Sequence, residues 1–364
     1  MHNTKNRTVH VPATRRSGFA RRLSVAICAV LALAVSTPGQ AQEKVRWKLA
    51  SSYGGSLDVL GENIKRLIEN VEVMTDGNFQ IKFYEPGALV PALEVFEAVS
   101  KGSVDVSYTT PGFHAGRFPH LQFFSSVPFG PNVNEYFAWL QEGGGREIYD
   151  EEYAKHNVKG FQCGIVVAES SGWFREEIKS LDQLRGLKMR FFGLGAKVMG
   201  KLGVSTQLLA GGDIYPALEK GVIDATEFSY PSLDKGLGFY QIAKHNYFPG
   251  WHQQASLLEV IVNKKNFEAL PKSYQKILEI ACGEANLWIM AAAEARQGDA
   301  IEFHRSKGVT IHKWSDEQID VFRKAWDEVL AEEVAEDPDF KRVYDSYRAF
   351  RDKYSAWKEV GYLD

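Results

Sequence analysis

The chain has 364 residues, 45% hydrophobic and 24% charged, long enough for two modest domains with cores of their own. Residues 1–41 hold six basic residues (Lys5, Arg7, Arg15, Arg16, Arg21, Arg22) and no acid, so their removal takes the formal net charge from −3 to −9. So acidic a chain repels phosphate backbones, which argues against nucleic acid as a partner.

The basic N-terminal stretch runs into an apolar segment, 23–35, and then Ser36-Thr37-Pro38-Gly39-Gln40-Ala41. Basic region, short apolar core and small residues before a cleavage point make residues 1–41 a secretory signal, which places the mature protein in the periplasm. Thirteen residues fall short of a bilayer span, which disfavours an uncleaved anchor. Neither arginine pair carries a twin-arginine consensus, and the export route stays open. Cys28 lies inside the signal without a lipobox-like setting. Cys163 and Cys282 each sit in an apolar segment and read as buried free thiols rather than a disulfide.

The mature part opens with a strand-like alternation over 45–52. Ser56 is placed to cap a helix in which Leu57, Leu60, Ile64, Leu67, Ile68 and Val71 recur at helical spacing. The turn Asp76-Gly77-Asn78, a strand over 79–84, a helix over 91–101 and a strand over 104–109 follow. The second half repeats the grammar: strand 187–192, helices 195–202 and 214–220, strand 223–228. An apolar strand over 256–263 is suited to crossing between lobes, and a long helix runs over 273–306. Helices near 316–333 and 337–354 finish the chain. Strands alternating with helices predict an α/β fold with helices on the faces of its sheets.

One segment occurs twice. Ala98-Val99-Ser100-Lys101-Gly102-Ser103-Val104-Asp105-Val106-Ser107 aligns with Ala217-Leu218-Glu219-Lys220-Gly221-Val222-Ile223-Asp224-Ala225-Thr226 at an offset of 119 residues. Both read as helix, glycine cap, then a strand carrying an Asp, which suggests two lobes of similar design. Ligands of open α/β sheets bind beyond the carboxyl ends of the strands, so Tyr108 and Glu227, just after the matched stretches, are expected to face each other across a cleft.

Enzyme signatures are sparse: no G-x-S-x-G elbow, H-E-x-x-H, Walker loop or C-x-x-C occurs. Gly193-Leu194-Gly195-Ala196-Lys197-Val198 approaches a dinucleotide fingerprint but has Val198 where the third glycine belongs. A glycine-opened helix can instead present its free N–H groups to an anion. Arg190 ends the preceding strand and is suited to hold a carboxylate by two parallel hydrogen bonds, the alternative being a solvated arginine. Glu169 and Glu227 lie at the ends of apolar strands and need a cation or a donor. His252 is open between a ligand contact and a core donor.

The run Ser171-Gly172-Trp173-Phe174-Arg175, then Leu181-Asp182-Gln183-Leu184-Arg185-Gly186-Leu187-Lys188-Met189-Arg190, resembles the periplasmic receptors of tripartite ATP-independent (TRAP) transporters, the DctP family. The second copy of the repeat and Pro249-Gly250-Trp251-His252 add to the match, which covers essentially the whole mature chain and is nearest the 2-oxo acid and lactate branch. The resemblance implies a two-lobed, type II-like binding protein with crossing hinge strands and a long hinge-spanning helix. Lobe 1 is then 42–164 plus about 260–310, lobe 2 is 165–259, and 311–364 are C-terminal helices.

It implies a receptor without catalysis or catalytic cofactor, which closes on a small 2-oxo or 2-hydroxy carboxylate and docks on a small and a large membrane subunit. Arg190 is the carboxylate clamp, and Tyr108 contributes from the opposite lobe. In that branch a cation, here Na⁺ or Ca²⁺, bridges the ligand to a Gln, a Glu and the carbonyl of the next aromatic residue, positions that fall on Glu169, Glu227 and Phe228. Two depart from the pattern: Glu169 stands where Gln is usual and Phe228 where Trp is usual. The added charge favours a divalent cation, or lets the two glutamates accept the ammonium of an amino-acid-like zwitterion. The rivals are an exported acid–base enzyme and a receptor that signals to a sensor. The stretch from Tyr347 to Trp357 also resembles this branch, where the last helix can exchange between subunits, so a homodimer is one reading and an end helix packed on its own lobe the other.

Overall fold

The structure, a computed structural model, describes residues 8, 10 and 43–362; the expected export signal therefore lies outside the described residues apart from positions 8 and 10. Strand β1 (Val45–Ser51) buries Trp47 and Leu49 and exposes Arg46 and Lys48, as a period of two requires. Helix α1 (Leu60–Met74) buries Ile64, Leu67 and Val71. Ser56 does not cap it. The helix starts only after Val59, at φ 60°, because Gly61 packs on the Gly55 carbonyl, where a Cβ would come within 2.5 Å. Then come β2 (Phe79–Tyr84), α2 (Val95–Lys101), β3 (Val106–Thr109), 3₁₀ turns at Pro111–His114 and Pro119–Phe124, α3 (Val133–Glu142), α4 (Gly145–Ala154) and β4 (Val158–Val166).

The chain continues through β5 (Gly172–Phe174), β6 (Lys188–Arg190), α5 (Gly193–Lys201), β7 (Ser205–Gln207), α6 (Gly211–Glu219), β8 (Ala225–Thr226), α7 (Pro231–Leu237) and β9 (His245–Phe248). It ends with β10 (Ser256–Asn263), α8 (Lys264–Glu268), α9 (Lys272–Ser306), β11 (Thr310–Lys313), α10 (Asp316–Glu336) and α11 (Pro338–Gly361).

Two sheets result, one per lobe: β2-β1-β3-β10-β4, and β11-β9-β5-β8-β6-β7. This is the α/β arrangement expected from the alternation of strands and helices, in the two lobes that the repeat and the family resemblance imply. Strand β10 does not itself cross. It pairs antiparallel with both β3 and β4 in the first sheet, its residues 256–259 included, which the boundary expected from sequence assigns to the second lobe. Its mostly apolar run, interrupted by Glu259, reflects burial on both faces. Crossing falls to the segments between β4 and β5 and between β9 and β10.

The repeated segment is one structural unit built twice. In both copies the helix ends in a left-handed glycine (Gly102, φ 76°; Gly221, φ 70°), and an Asp carboxylate accepts the N–H of the lysine just before the neighbouring strand begins to pair with its own. Asp105 Oδ2 takes it from Lys48 at 2.9 Å, Asp224 Oδ2 from Lys188 at 3.0 Å. Each carboxylate thus anchors the start of a parallel pairing, β1 with β3 and β6 with β8.

Helix α9, 35 residues and about 52 Å long, runs along both lobes. Arg296 pairs with Asp58 (2.5 Å) and Glu62 (2.8 Å) at the head of α1, and His304 Nε2 meets the Pro231 carbonyl of α7 at 2.9 Å. The same helix corrects the reading of the cysteines: Cys163 on β4 and Cys282 on α9 form a disulfide, their Cα atoms 4.2 Å apart. Their apolar surroundings are the interface between the two elements, which brings the thiols face to face. Helix α10 stacks Phe322 on Trp251 (4.7 Å), while α11 lies on the first lobe through Phe123–Phe340 (4.7 Å) and Arg351–Glu135 (2.9 Å). The last helix thus packs on its own chain, leaving Trp357, Val360 and Tyr362 exposed at its end.

Candidate functional site

Arg190 ends β6, between β8 and β7, and is 1% exposed. Its Nη1 donates to the Glu227 carboxylate (2.8 Å) and the Glu227 carbonyl (2.6 Å), and its Nε to the Leu209 carbonyl (3.3 Å). Nη2 has no partner among the described residues. The guanidinium carbon stands over the rings of Phe228 and Phe192, 5.1 and 5.9 Å from their centroids, within reach of a cation–π contact.

Glu227 follows β8 and Glu169 follows β4, each where its strand gives out. Glu227 Oε1 also accepts the Phe192 N–H at 2.5 Å, so the glycine-opened start of α5 turns that N–H to a protein carboxylate. His252 is carried in by the segment after β9. Gly250 lets this segment lie on the Glu169 carbonyl, accepting no side chain there: a Cβ would stand 2.4 Å from that oxygen. The Gly250 N–H donates to it at 2.9 Å.

The imidazole Nε2 thereby comes 3.8 Å from Glu169 Oε2 and 3.6 Å from Glu227 Oε2. Neither Oε2 nor either nitrogen of His252 has a hydrogen-bond partner, although all three side chains are buried. Burial first, and the neighbouring Glu227 charge second, push the Glu169 carboxyl well above the usual carboxylate range. Burial raises Glu227 too, but Arg190, with His252 and the Phe192 N–H, holds it below its ordinary value. Asp234, on α7, is pushed up by burial to about 7 while accepting the Trp173 indole N–H at 2.8 Å.

Orphaned buried oxygens call for a cation or a donor, because a buried polar group without a partner costs several kcal/mol. One ligand atom each from Glu169, Glu227 and His252 lie within 4.8 Å of one another, and the Phe228 carbonyl next to Glu227 accepts no hydrogen bond from the described residues. Two carboxylates and a carbonyl suit a hard cation that prefers oxygen ligands. The residues fit one.

The first lobe contributes differently from the expectation. Tyr108 is fully buried, but its hydroxyl takes the Asn63 amide of α1 at 3.3 Å, and its ring stands 5.7 Å behind that of Tyr53. Helix α1 covers the face of β3 onto which Tyr108 points. Tyr53, two residues past the end of β1, reaches the cavity instead, and the strand-end rule that singles out Tyr108 applies equally to it. The cavity, about 30 Å³, is lined on this side by Tyr53, Thr110, Phe113 and Leu258, and on the other by Glu169, Arg190, Phe192, Phe228 and Ser229. Hydroxyls of Thr110, Ser125 and Ser256 form a buried chain beside it, at 3.1 and 3.2 Å. Arg190, Glu169, Glu227, Phe228 and His252 are thus brought together, and Tyr108 stands one layer back.

A model of the DctP family, bacterial extracellular solute-binding protein family 7, matches residues 50–337. A monocarboxylate 2-oxoacid-binding periplasmic protein of Nostoc is 39% identical over 319 residues, 88% of this chain and 87% of that protein. Among solved structures, a TRAP transporter solute-binding protein of Bordetella bronchiseptica superposes with a TM-score of 0.85 at 37% identity, covering 87% of this chain and 95% of that one. It is a mixed-occupancy dimer with calcium and picolinate bound in one site and the other apo. A TRAP periplasmic solute-binding protein of Pseudoalteromonas atlantica, with sodium and pyruvate bound, gives 0.83 at 32% identity, covering 87% of this chain and 97% of that one. Among the described residues no helix is long and apolar enough to cross a membrane.

Proposed function

This chain belongs to the DctP family of bacterial extracellular solute-binding proteins, and on that premise we propose that it is the periplasmic receptor of a TRAP transporter, enclosing a small 2-oxo or 2-hydroxy monocarboxylate. One observation carries the reading: a single buried cation, Arg190, lies beside two buried carboxylates whose outer oxygens lack donors. Arg190 Nη2 is the arm left for the ligand carboxylate. Glu169, Glu227 and the Phe228 carbonyl would hold the cation, which would supply positive charge to the ligand's polar end.

Charge counting ties the ion to the proton on Glu169. With both glutamates ionised and an anionic ligand present, three negative charges face one Arg190 and Ca²⁺ brings the sum to zero; with Glu169 kept neutral by burial, Na⁺ does so. Tyr53 and Thr110 close over the ligand from the first lobe, and the liganded form docks on the small and large membrane subunits. Ligand affinity for the closed arrangement is what shifts the lobes. Association through the exposed end of α11 would make a homodimer.

The two glutamates have their pKa values driven apart, the arrangement an acid–base enzyme needs. Burial and Arg190 account for that separation without a reaction, and the relatives are receptors. We therefore expect no turnover of bound acids, and none that Glu169→Gln alters.

A thermal-shift screen of the protein freed of residues 1–41 tests the reading, with 2-oxo acids, 2-hydroxy acids, aromatic acids and amino acids, each with Ca²⁺ or chelator. A ligand at about 100 times its Kd adds about 2.7 kcal/mol of stability. A shift from short 2-oxo acids that disappears with chelator is expected. A shift from amino acids alone, indifferent to chelator, would make the glutamates ammonium acceptors instead.

A further inference from the structure

The cavity has a second boundary that the carboxylate clamp does not explain. Phe192 and Gly193, the cap and first residue of α5 in the second lobe, are seated on the first lobe. The Phe192 ring meets the Phe113 ring edge-on at 5.4 Å, and lies so close over Gly112 that a Cβ there would stand 2.3 Å from the ring carbon Cζ. A Cβ on Gly193 would come equally hard against the Ser126 hydroxyl. Phe113 in turn packs on Tyr53, ring centroids 5.7 Å apart, and all three aromatics line the cavity. Phe192 is also tied to the charged end, because its N–H donates to Glu227 Oε1.

We infer that the Phe192–Phe113 pair, closing over Gly112, is a chain-length gate that limits the ligand to 2-oxo acids with a one- or two-carbon side chain. The inference rests on the receptor reading above and adds the residues that set its specificity. Arg190 and the two glutamates fix the ligand's carboxylate end on the second lobe. What varies between acids must then point into the rest of a cavity that is about 30 Å³ in all, against aromatic walls contributed by both lobes. Among the described residues the only cation lining that space is Arg190, so a second carboxylate has no partner there. A longer side chain would have to part Phe192 from Gly112 and Phe113, and with them the lobes. Length is read as failure to close: the wrong ligand is penalised, and the right one needs no added attraction.

Titration calorimetry with Ca²⁺ and the series pyruvate, 2-oxobutyrate, 2-oxovalerate and 2-oxohexanoate tests this. The native protein is expected to bind 2-oxohexanoate at least tenfold more weakly than pyruvate, and Phe113→Ala to shrink that ratio at least tenfold. Gly112→Ala should weaken pyruvate binding at least tenfold, and Phe192→Ala in the same chain should recover most of the loss. That recovery requires a folded protein and is not expected of a merely unfolding substitution. Equal affinity along the series, an unaltered ratio in Phe113→Ala, or no recovery in the double variant would overturn the gate alone. Absence of binding by every acid would overturn the receptor reading with it.

Discussion

The two copies of the helix–glycine–Asp–strand unit share a frame and differ in what they deliver. Asp105 and Asp224 make the same bond to the neighbouring strand, and the glycine caps take the same left-handed turn. Three residues past the Asp the first copy carries Tyr108, which turns to Asn63 behind the sheet, and the second carries Glu227, which turns to Arg190. The first lobe therefore presents hydroxyls and apolar rings (Tyr53, Thr110, Phe113), while the second presents Arg190, Glu169 and Glu227. The frame sets where a strand end points. The residue placed there decides the chemistry, and it can diverge while the frame is kept.

The charged half is the easiest to break. Arg190→Lys keeps the charge but replaces a planar, five-donor group by a point charge. It is expected to weaken binding by about 3 kcal/mol, more than a hundredfold, because Glu227 loses its Nη1 donor along with the ligand's clamp. Calorimetry with pyruvate and Ca²⁺ measures this directly; affinity within a factor of three of the native protein would remove Arg190 from the site.

This asymmetry is half legible in the sequence. Arg190, Glu169 and Glu227 stand at the ends of apolar strands, where a charged residue needs a reason, and the repeat aligns Tyr108 with Glu227. Alignment along the chain carries no information about which face of β3 is covered by α1, so it points to Tyr108 rather than to Tyr53. The same limit hides the disulfide: an apolar setting describes each cysteine singly, and only the packing of α9 on β4 pairs them. His252 stays undecided in the sequence because what places it is a backbone contact, Gly250 on the Glu169 carbonyl, to which side-chain patterns are blind. Helices α1, α9, α10 and α11 are legible because their periodicity runs over many residues, whereas α3 and α4 are not among the elements expected from the sequence, and β4 is expected only by the apolar end that precedes Glu169. The short strands β5 and β7 are not read, because their pairing depends on neighbours distant in sequence; β6 and β8 are read, but as longer strands than the residues that pair.

The surplus of negative charge in the second lobe is sharpened by pH. Asp234, raised by burial from 3.8 to about 7, binds its proton more tightly in the folded protein than in the unfolded chain. Its contribution is thus a loss of stability as pH rises between those values, up to about 4 kcal/mol by linkage if the shift is fully expressed. Asp234→Asn keeps an acceptor for the Trp173 indole and cannot ionise. Melting of the unliganded protein from pH 4 to 8 should show the variant gaining on the native protein as pH rises, with the gap closing near pH 4. A constant gap at every pH would mean that Asp234 does not change its charge in this window.

The frame itself carries the smallest expected effect, and the most direct test of whether it is shared. Asp105→Ala and Asp224→Ala each strip a carboxylate from the N–H at which a parallel pairing begins, a charge-assisted bond worth about 1–2 kcal/mol. Asp105 has a second tie, from the Asn266 amide at 2.9 Å, so its loss should be slightly the more costly to stability in denaturant unfolding. Binding should divide the other way. β8 leads within one residue to Glu227, whereas β3 leads to a Tyr108 that stands behind the cavity, so Asp224→Ala should weaken the ligand severalfold and Asp105→Ala scarcely. Near-equal stability losses with unequal binding losses are what a common scaffold with chemistry on one copy requires. Equal binding losses would mean that the first copy positions the ligand as closely as the second, and that the difference between Tyr108 and Glu227 is one of identity alone.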